Sequence, residues 1–211
     1  HTEVRRQRQM CIRDSYEGLF RDGLYHGEGS LFRGNGSKYI SGKWVFGKPH
    51  GPVQFYFPDN GLLQYEGGLK KMDDGSFVFQ GQGTLYNQTG QSVYQGLWEV
   101  GIRSGNGTAW LEDGSIYSGN WVDDYPDGKG TYLFPDGTEY EGGFIRGKKH
   151  GQGTFKEADG FVSYDGEWKD GQRFGKGRVN KRDSSSYDGD WLEGKPHGNG
   201  MFTLSLIHIS E

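Results

Sequence analysis

The chain has 211 residues with 24 Lys and Arg against 28 Asp and Glu, a slightly negative balance that argues against a nucleic-acid binder working through bulk charge. One cysteine supplies no disulfide framework, and no apolar run approaches the ~20 residues that a membrane-spanning helix needs. Thirty-nine glycines in a chain of this length point instead to a backbone with unusual demands.

"RRQRQMCIRDS" (Arg5 to Ser15) and "LSLIHISE" (Leu204 to Glu211) read unlike everything between them. Nucleotides that encode the core of the second string are the reverse complement of those ending the first, as in transposon-type sequencing adaptors. Residues 1–15 and 204–211 are therefore taken as translated adaptor and excluded from the fold reading. The remainder, 16–203, is expected to be a piece of a longer chain. It stays net negative, and it loses Cys11, which fits a reducing, cytoplasmic compartment.

The interior is one unit repeated. Glycines two residues after a Tyr or Ile recur as Gly18, Gly42, Gly67, Gly96, Gly119, Gly142, Gly166 and Gly189, spaced 24, 25, 29, 23, 23, 24 and 23 apart. Two residues beyond each stands Phe20, Trp44, Leu69, Trp98, Trp121, Phe144, Trp168 or Trp191. Further on come paired glycines such as Gly27/Gly29, Gly128/Gly130, Gly151/Gly153 and Gly198/Gly200, while copy two has Gly51 and Val53. Eight copies fill 16–203, the third irregular and the eighth truncated.

Within a copy the period is two. Tyr140, Gly142 and Phe144 alternate with Glu141, Gly143 and Ile145, and Gly151, Gly153 and Phe155 alternate with Gln152, Thr154 and Lys156, as strands do. Arg146 to His150 reads as the loop between the two runs. Asp159-Gly160, Asp136-Gly137, Asp113-Gly114 and Asn60-Gly61 then mark the turns between copies. The expected fold is all-β, a meander of antiparallel hairpins in a single sheet. Its core would be rings lying over glycines, each buried ring contributing at most about 4 to 6 kcal/mol before entropy. Such units are stable only as a stack.

The pattern Tyr-x-Gly-x-Trp-x-x-Gly-x-x-His-Gly-x-Gly, followed closely by copy six, resembles the MORN (membrane occupation and recognition nexus) repeat over essentially all of Tyr16 to Thr203. Copy three lacks the His-Gly, and copies four, five and seven replace the His by Ser104, Asp127 and Phe174. The resemblance implies an elongated, twisted antiparallel sheet, solenoid-like, acting as a non-catalytic scaffold for protein–protein interaction. It further implies a cytoplasmic setting, in cytoskeletal or ciliary assemblies such as radial spokes. The alternative it carries is a phosphoinositide-binding membrane tether or targeting module, including one attached to an enzyme domain.

The residues give no enzyme, cofactor or metal site. His26, His50, His150 and His197 share one repeat position and read as turn histidines, because the copies lacking them break any ligand ladder. No phosphate-binding glycine motif leads into a helix, and Asp123, Asp124 and Asp127 read as a solvated turn. Two features depart from the plain repeat. One is an aromatic stripe on the nominally polar face, Phe32, Tyr56, Tyr86 and Trp110, which then becomes Leu133, Lys156 and Asn180. The other is a basic turn edge, Arg146, Lys148, Lys149, Arg173, Lys176 and Lys195, a candidate site for anionic phospholipid. Expected partners are other proteins, through the sheet face or edge strands, with self-association and anionic lipid as further candidates and no nucleic acid.

Overall fold

The structure is a computed structural model that describes residues 14–205, so the excluded ends lie almost wholly outside the described residues. Among these the chain is strand and turn only. The first eight strands are β1 (Ser15–Arg21), β2 (Leu24–Phe32), β3 (Lys38–Val45), β4 (Lys48–Tyr56), β5 (Leu63–Lys71), β6 (Phe77–Tyr86), β7 (Ser92–Glu99) and β8 (Ile102–Trp110). The rest are β9 (Ile116–Val122), β10 (Tyr125–Leu133), β11 (Glu139–Ile145), β12 (Lys148–Lys156), β13 (Val162–Lys169), β14 (Gln172–Asn180), β15 (Ser186–Leu192) and β16 (Lys195–Thr203). They form one open antiparallel sheet whose strand order is the chain order. The chain divides after Gly107 into two compact units.

Turn chemistry explains the meander. Within every hairpin but β5–β6 the links are two-residue turns with both residues at positive φ, as at Asp22-Gly23, Arg146-Gly147, Asp170-Gly171 and Glu193-Gly194. This geometry matches the right-handed twist of paired strands. The loop expected over Arg146–His150 is shorter than that, because Gly147 completes the turn and Lys148 to His150 already belong to β12. Between hairpins the turns differ. Leu111 N–H donates to Ser115 O at 2.9 Å, Gly114 N–H donates to Leu111 O at 3.0 Å, and Ser115 N–H donates to Asp113 Oδ1 at 2.8 Å. Here only Gly114 is at positive φ (+86°), and Asp contributes its side chain as a backbone acceptor.

Register accounts for the uneven spacing of copies. Tyr132 and Leu133 face Tyr140 and Glu139 without a break where the spacing is 23. Where it is 24, the extra residue becomes a bulge. Phe155 faces Tyr164 but Lys156 faces Val162, leaving Ser163 unpaired, and in the first unit Tyr39 is left out in the same way between Ile40 and Lys38.

Each unit builds its core from rings on one face of the sheet. In the first, Tyr16, Leu31, Ile40, Trp44 and Val53 are buried together, with Tyr39, Phe55 and Phe77 packed against them. In the second, Tyr117, Tyr140 and Tyr164 are fully buried. Tyr140 meets Phe144 and Trp168 edge-on, both at 5.2 Å, and Tyr164 meets Trp191 at 5.5 Å.

The glycines serve two separate needs in each His-Gly-x-Gly string. Gly151 adopts φ +70° with open space where a Cβ would stand, so its role is conformational. Gly142 and Gly153 lie beneath the Tyr140 ring. A Cβ on Gly142 would stand 2.6 Å from Tyr140 Oη and 2.6 Å from Gly153 Cα. The ring closes over these bare strands, and Tyr140 Oη donates to Gly143 O at 2.9 Å. Trp168 Nε1 donates to Gly153 O at 3.0 Å. Buried rings thus satisfy the backbone they cover, and burial pushes the Tyr140 hydroxyl up to about 12.

Candidate interaction surfaces

The ring face is already occupied. Between successive ring pairs runs a slot filled by the residue preceding the repeat histidine: Tyr25 stacks on Tyr16 at 4.0 Å and Phe79 on Tyr65 at 3.8 Å. In the β11–β12 and β13–β14 hairpins this slot takes cations, as it does for Arg103, 5.7 Å from the Tyr94 ring in the first unit, while Pro126 and Pro196 hold it in the other two hairpins of the second unit. Lys149 Nζ lies 4.9 Å from the Phe134 ring, 5.0 Å from Tyr140, 4.7 Å from Phe155 and 4.9 Å from Trp168. The Arg173 guanidinium lies 4.9 Å from Tyr164 and 5.2 Å from Trp191. Burial first, and Arg173 second, push the Lys149 ammonium down to about 8, while the four ring faces hold its charged form.

This corrects the basic edge. Lys149 and Arg173 turn onto the rings instead of standing at the turn edge, because strand parity puts Lys149 on the face of Gly151, Gly153 and Phe155. Lys176 is exposed but pairs with Asp190 Oδ1 at 2.5 Å. Arg146, Lys148 and Lys195 remain exposed at the turns. The signal for the ring slot was in the sequence, in the alignment of Lys149 and Arg173 with Tyr25 and Phe79. A loop over Arg146 to His150, as the sequence suggests, hides it, because a loop residue carries no strand parity.

The aromatic stripe lies opposite the rings, as its parity requires, but its members differ. Phe32, Tyr56 and Tyr86 are half-buried and sit beside Lys38, Leu63 and Ser92 of the following strands. Tyr56 is tied down, since its hydroxyl donates to Gln54 Oε1 at 2.8 Å, lies 3.0 Å from Ser41 Oγ, and its ring faces Lys38 Nζ at 5.3 Å. Trp110 is 36% exposed beside the buried Ala109, and Leu133, 38% exposed, is the cross-strand partner of Ile116. Beyond it the row turns polar, with Lys156 Nζ bridging Glu139 at 2.8 Å and Glu141 at 2.9 Å.

The polar face of the second unit also carries a shallow open groove floored by Gly119, Gly130, Gly142 and Gly153 and walled by Lys129, Thr131, Glu141, His150, Gln152 and Thr154. Its groups are those of a contact surface. Among the described residues no set of three or more His, Cys, Asp and Glu is placed to hold a metal. His26 and His150 are half-buried with the Nδ1 of each enclosed, while His50 and His197 are exposed, so the four do not converge. Among the described residues no helix is long and apolar enough to cross a membrane.

Hairpins of one recurring length, a tyrosine ring over paired glycines and a tryptophan bonded back to a glycine carbonyl define a class of open-sheet repeat protein. The family model for the MORN repeat matches residues 16–38, 41–62, 94–116, 117–139, 140–161, 164–179 and 187–205, more than half of the chain, which therefore belongs to the MORN repeat family. The unmatched stretch 63–93 holds the β5–β6 hairpin, the irregular copy that lacks His-Gly. No curated protein matches the chain. The MORN repeat is a non-catalytic module, generally one of interaction or membrane association.

Proposed function

We propose that this chain is a non-catalytic scaffold that binds partner proteins through the face opposite the rings, within a cytoskeletal or ciliary assembly. The assembly rests on the family resemblance alone. The observation that carries the binding reading is the pair of exposed apolar side chains Trp110 and Leu133 on that face. The ring face has already packed its own apolar surface, so these two contribute little to folding and are placed to desolvate against a partner.

The test is photocrosslinking from the Lys129 position of the groove in an extract of ciliated cells, comparing the native chain with Trp110→Ala plus Leu133→Ser. The expected result is loss of the crosslinked species with the melting temperature unchanged to within about 2 °C, as for surface substitutions. Crosslinks that persist in the double variant, or a large stability loss, would sink the reading. The membrane alternative keeps Arg146, Lys148 and Lys195 as unpaired-edge candidates. Failure to sediment with phosphoinositide-containing vesicles at physiological salt would remove it.

A further inference from the structure

Phe46 stands at the first position of the β3–β4 turn with φ +46°, in the left-handed region, and is 52% exposed. Turns of this kind favour Asn, Asp or Gly there. The β7–β8 turn of the same unit places Val100 there at φ +51°, while the second unit fills the corresponding places with Asp123, Arg146, Asp170 and Glu193. A phenylalanine bears the steric cost of this backbone while half of it remains in water, so folding alone gives little reason for the ring.

Its surroundings describe what would cover it. The His26 ring meets Phe46 edge-on at 5.5 Å, and the Arg21 guanidinium lies 5.7 Å from the ring centroid. Leu24, 45% exposed, extends the apolar surface along the same turn, with its Cδ2 3.6 Å from where a Cβ of Gly47 would stand. Lys48 follows the turn and is exposed. Against Arg21 and Lys48 stands Asp22, 4.0 Å from Arg21, with both side chains largely in solvent, a weak pair that leaves the corner positive.

We propose that Phe46 and Leu24, flanked by Arg21 and Lys48, form a docking point for a short acidic segment of a partner protein that presents a bulky apolar residue beside Asp or Glu. The apolar tip supplies the contact that excludes water, and the two cations set orientation and encounter rate. This surface is separate from the Trp110 and Leu133 face, so each can fail without the other.

The test selects twelve-residue displayed peptides on the full chain, with counter-selection on Phe46→Asn. Enriched peptides should carry Leu, Ile, Phe or Trp next to Asp or Glu. A synthetic representative should bind about tenfold more weakly to Phe46→Asn, and several-fold more weakly to Arg21→Gln plus Lys48→Gln or at high salt. Phe46→Asn should at the same time melt higher, because Asn accepts the left-handed backbone. Overturning results are no peptide that separates the two proteins, enriched peptides without acids, or a lower melting temperature for Phe46→Asn. Phe46-dependent binding of anionic vesicles in place of peptides would equally overturn the proposal.

Discussion

Gly142→Ala tests the ring-over-glycine construction directly. Carbon atoms in packed interiors sit ~3.5 to 4.0 Å apart, whereas the new methyl would stand 2.6 Å from Gly153 Cα and 2.7 Å from Gln152 O. Both are backbone atoms of the paired strand and cannot swing away. The third neighbour, Tyr140 Oη at 2.6 Å, belongs to a fully buried ring held by its bond to Gly143 O. Relief therefore needs about 1 Å of separation between β11 and β12, which places the cost at the upper end for overpacking, about 3 kcal/mol. For a two-state transition of the whole chain that lowers the melting temperature by about 6 to 12 °C. The control is Gly151→Ala, where the methyl meets nothing but the residue must hold φ +70°, a cost of about 1 to 2 kcal/mol. Circular dichroism melts and urea titrations of both variants decide. A Gly142→Ala loss no larger than that of Gly151→Ala would refute the steric account.

Three further predictions concern charge. Lys149→Ala should destabilise by about 2 kcal/mol through lost ring contacts and stem packing, while Lys148→Ala, one residue away and exposed, should stay within about 0.5 kcal/mol in urea titration. Because the Lys149 ammonium is held at about 8 when folded and titrates at ~10.4 when unfolded, the unfolded chain binds more protons between those values. Stability should therefore rise with pH across that window in the native chain, and Lys149→Met should abolish the rise. Asp159 runs the other way: its carboxylate accepts from Arg182 at 2.8 Å and from Phe161 N–H at 3.1 Å, holding it at about 2. That contribution is present above the unfolded value of ~3.9 and is lost as pH falls toward 2, so Asp159→Asn should flatten this part of the acid melting profile.

Much of the fold was legible because a hairpin array is governed by local rules. Copy spacing, period-two alternation and Asp-Gly signals fixed strands, turns and the buried ring face without long-range information, and Tyr140 over Gly142 and Gly153 follows from parity alone. Spacings of 23 against 24 also carried the bulges, since one added residue in an otherwise paired strand has nowhere else to go. Tertiary packing alone decided which charges were free. Lys148 and Lys149 are chemically identical and adjacent, yet one lies in water and the other among four rings drawn from three strands and a turn. The same holds for the stripe, where Tyr56 is fastened by Ser41 and Gln54 from neighbouring positions while Trp110 is left open. Exposure depends on which side chains of other strands reach a given spot, and that is set only when the sheet is assembled.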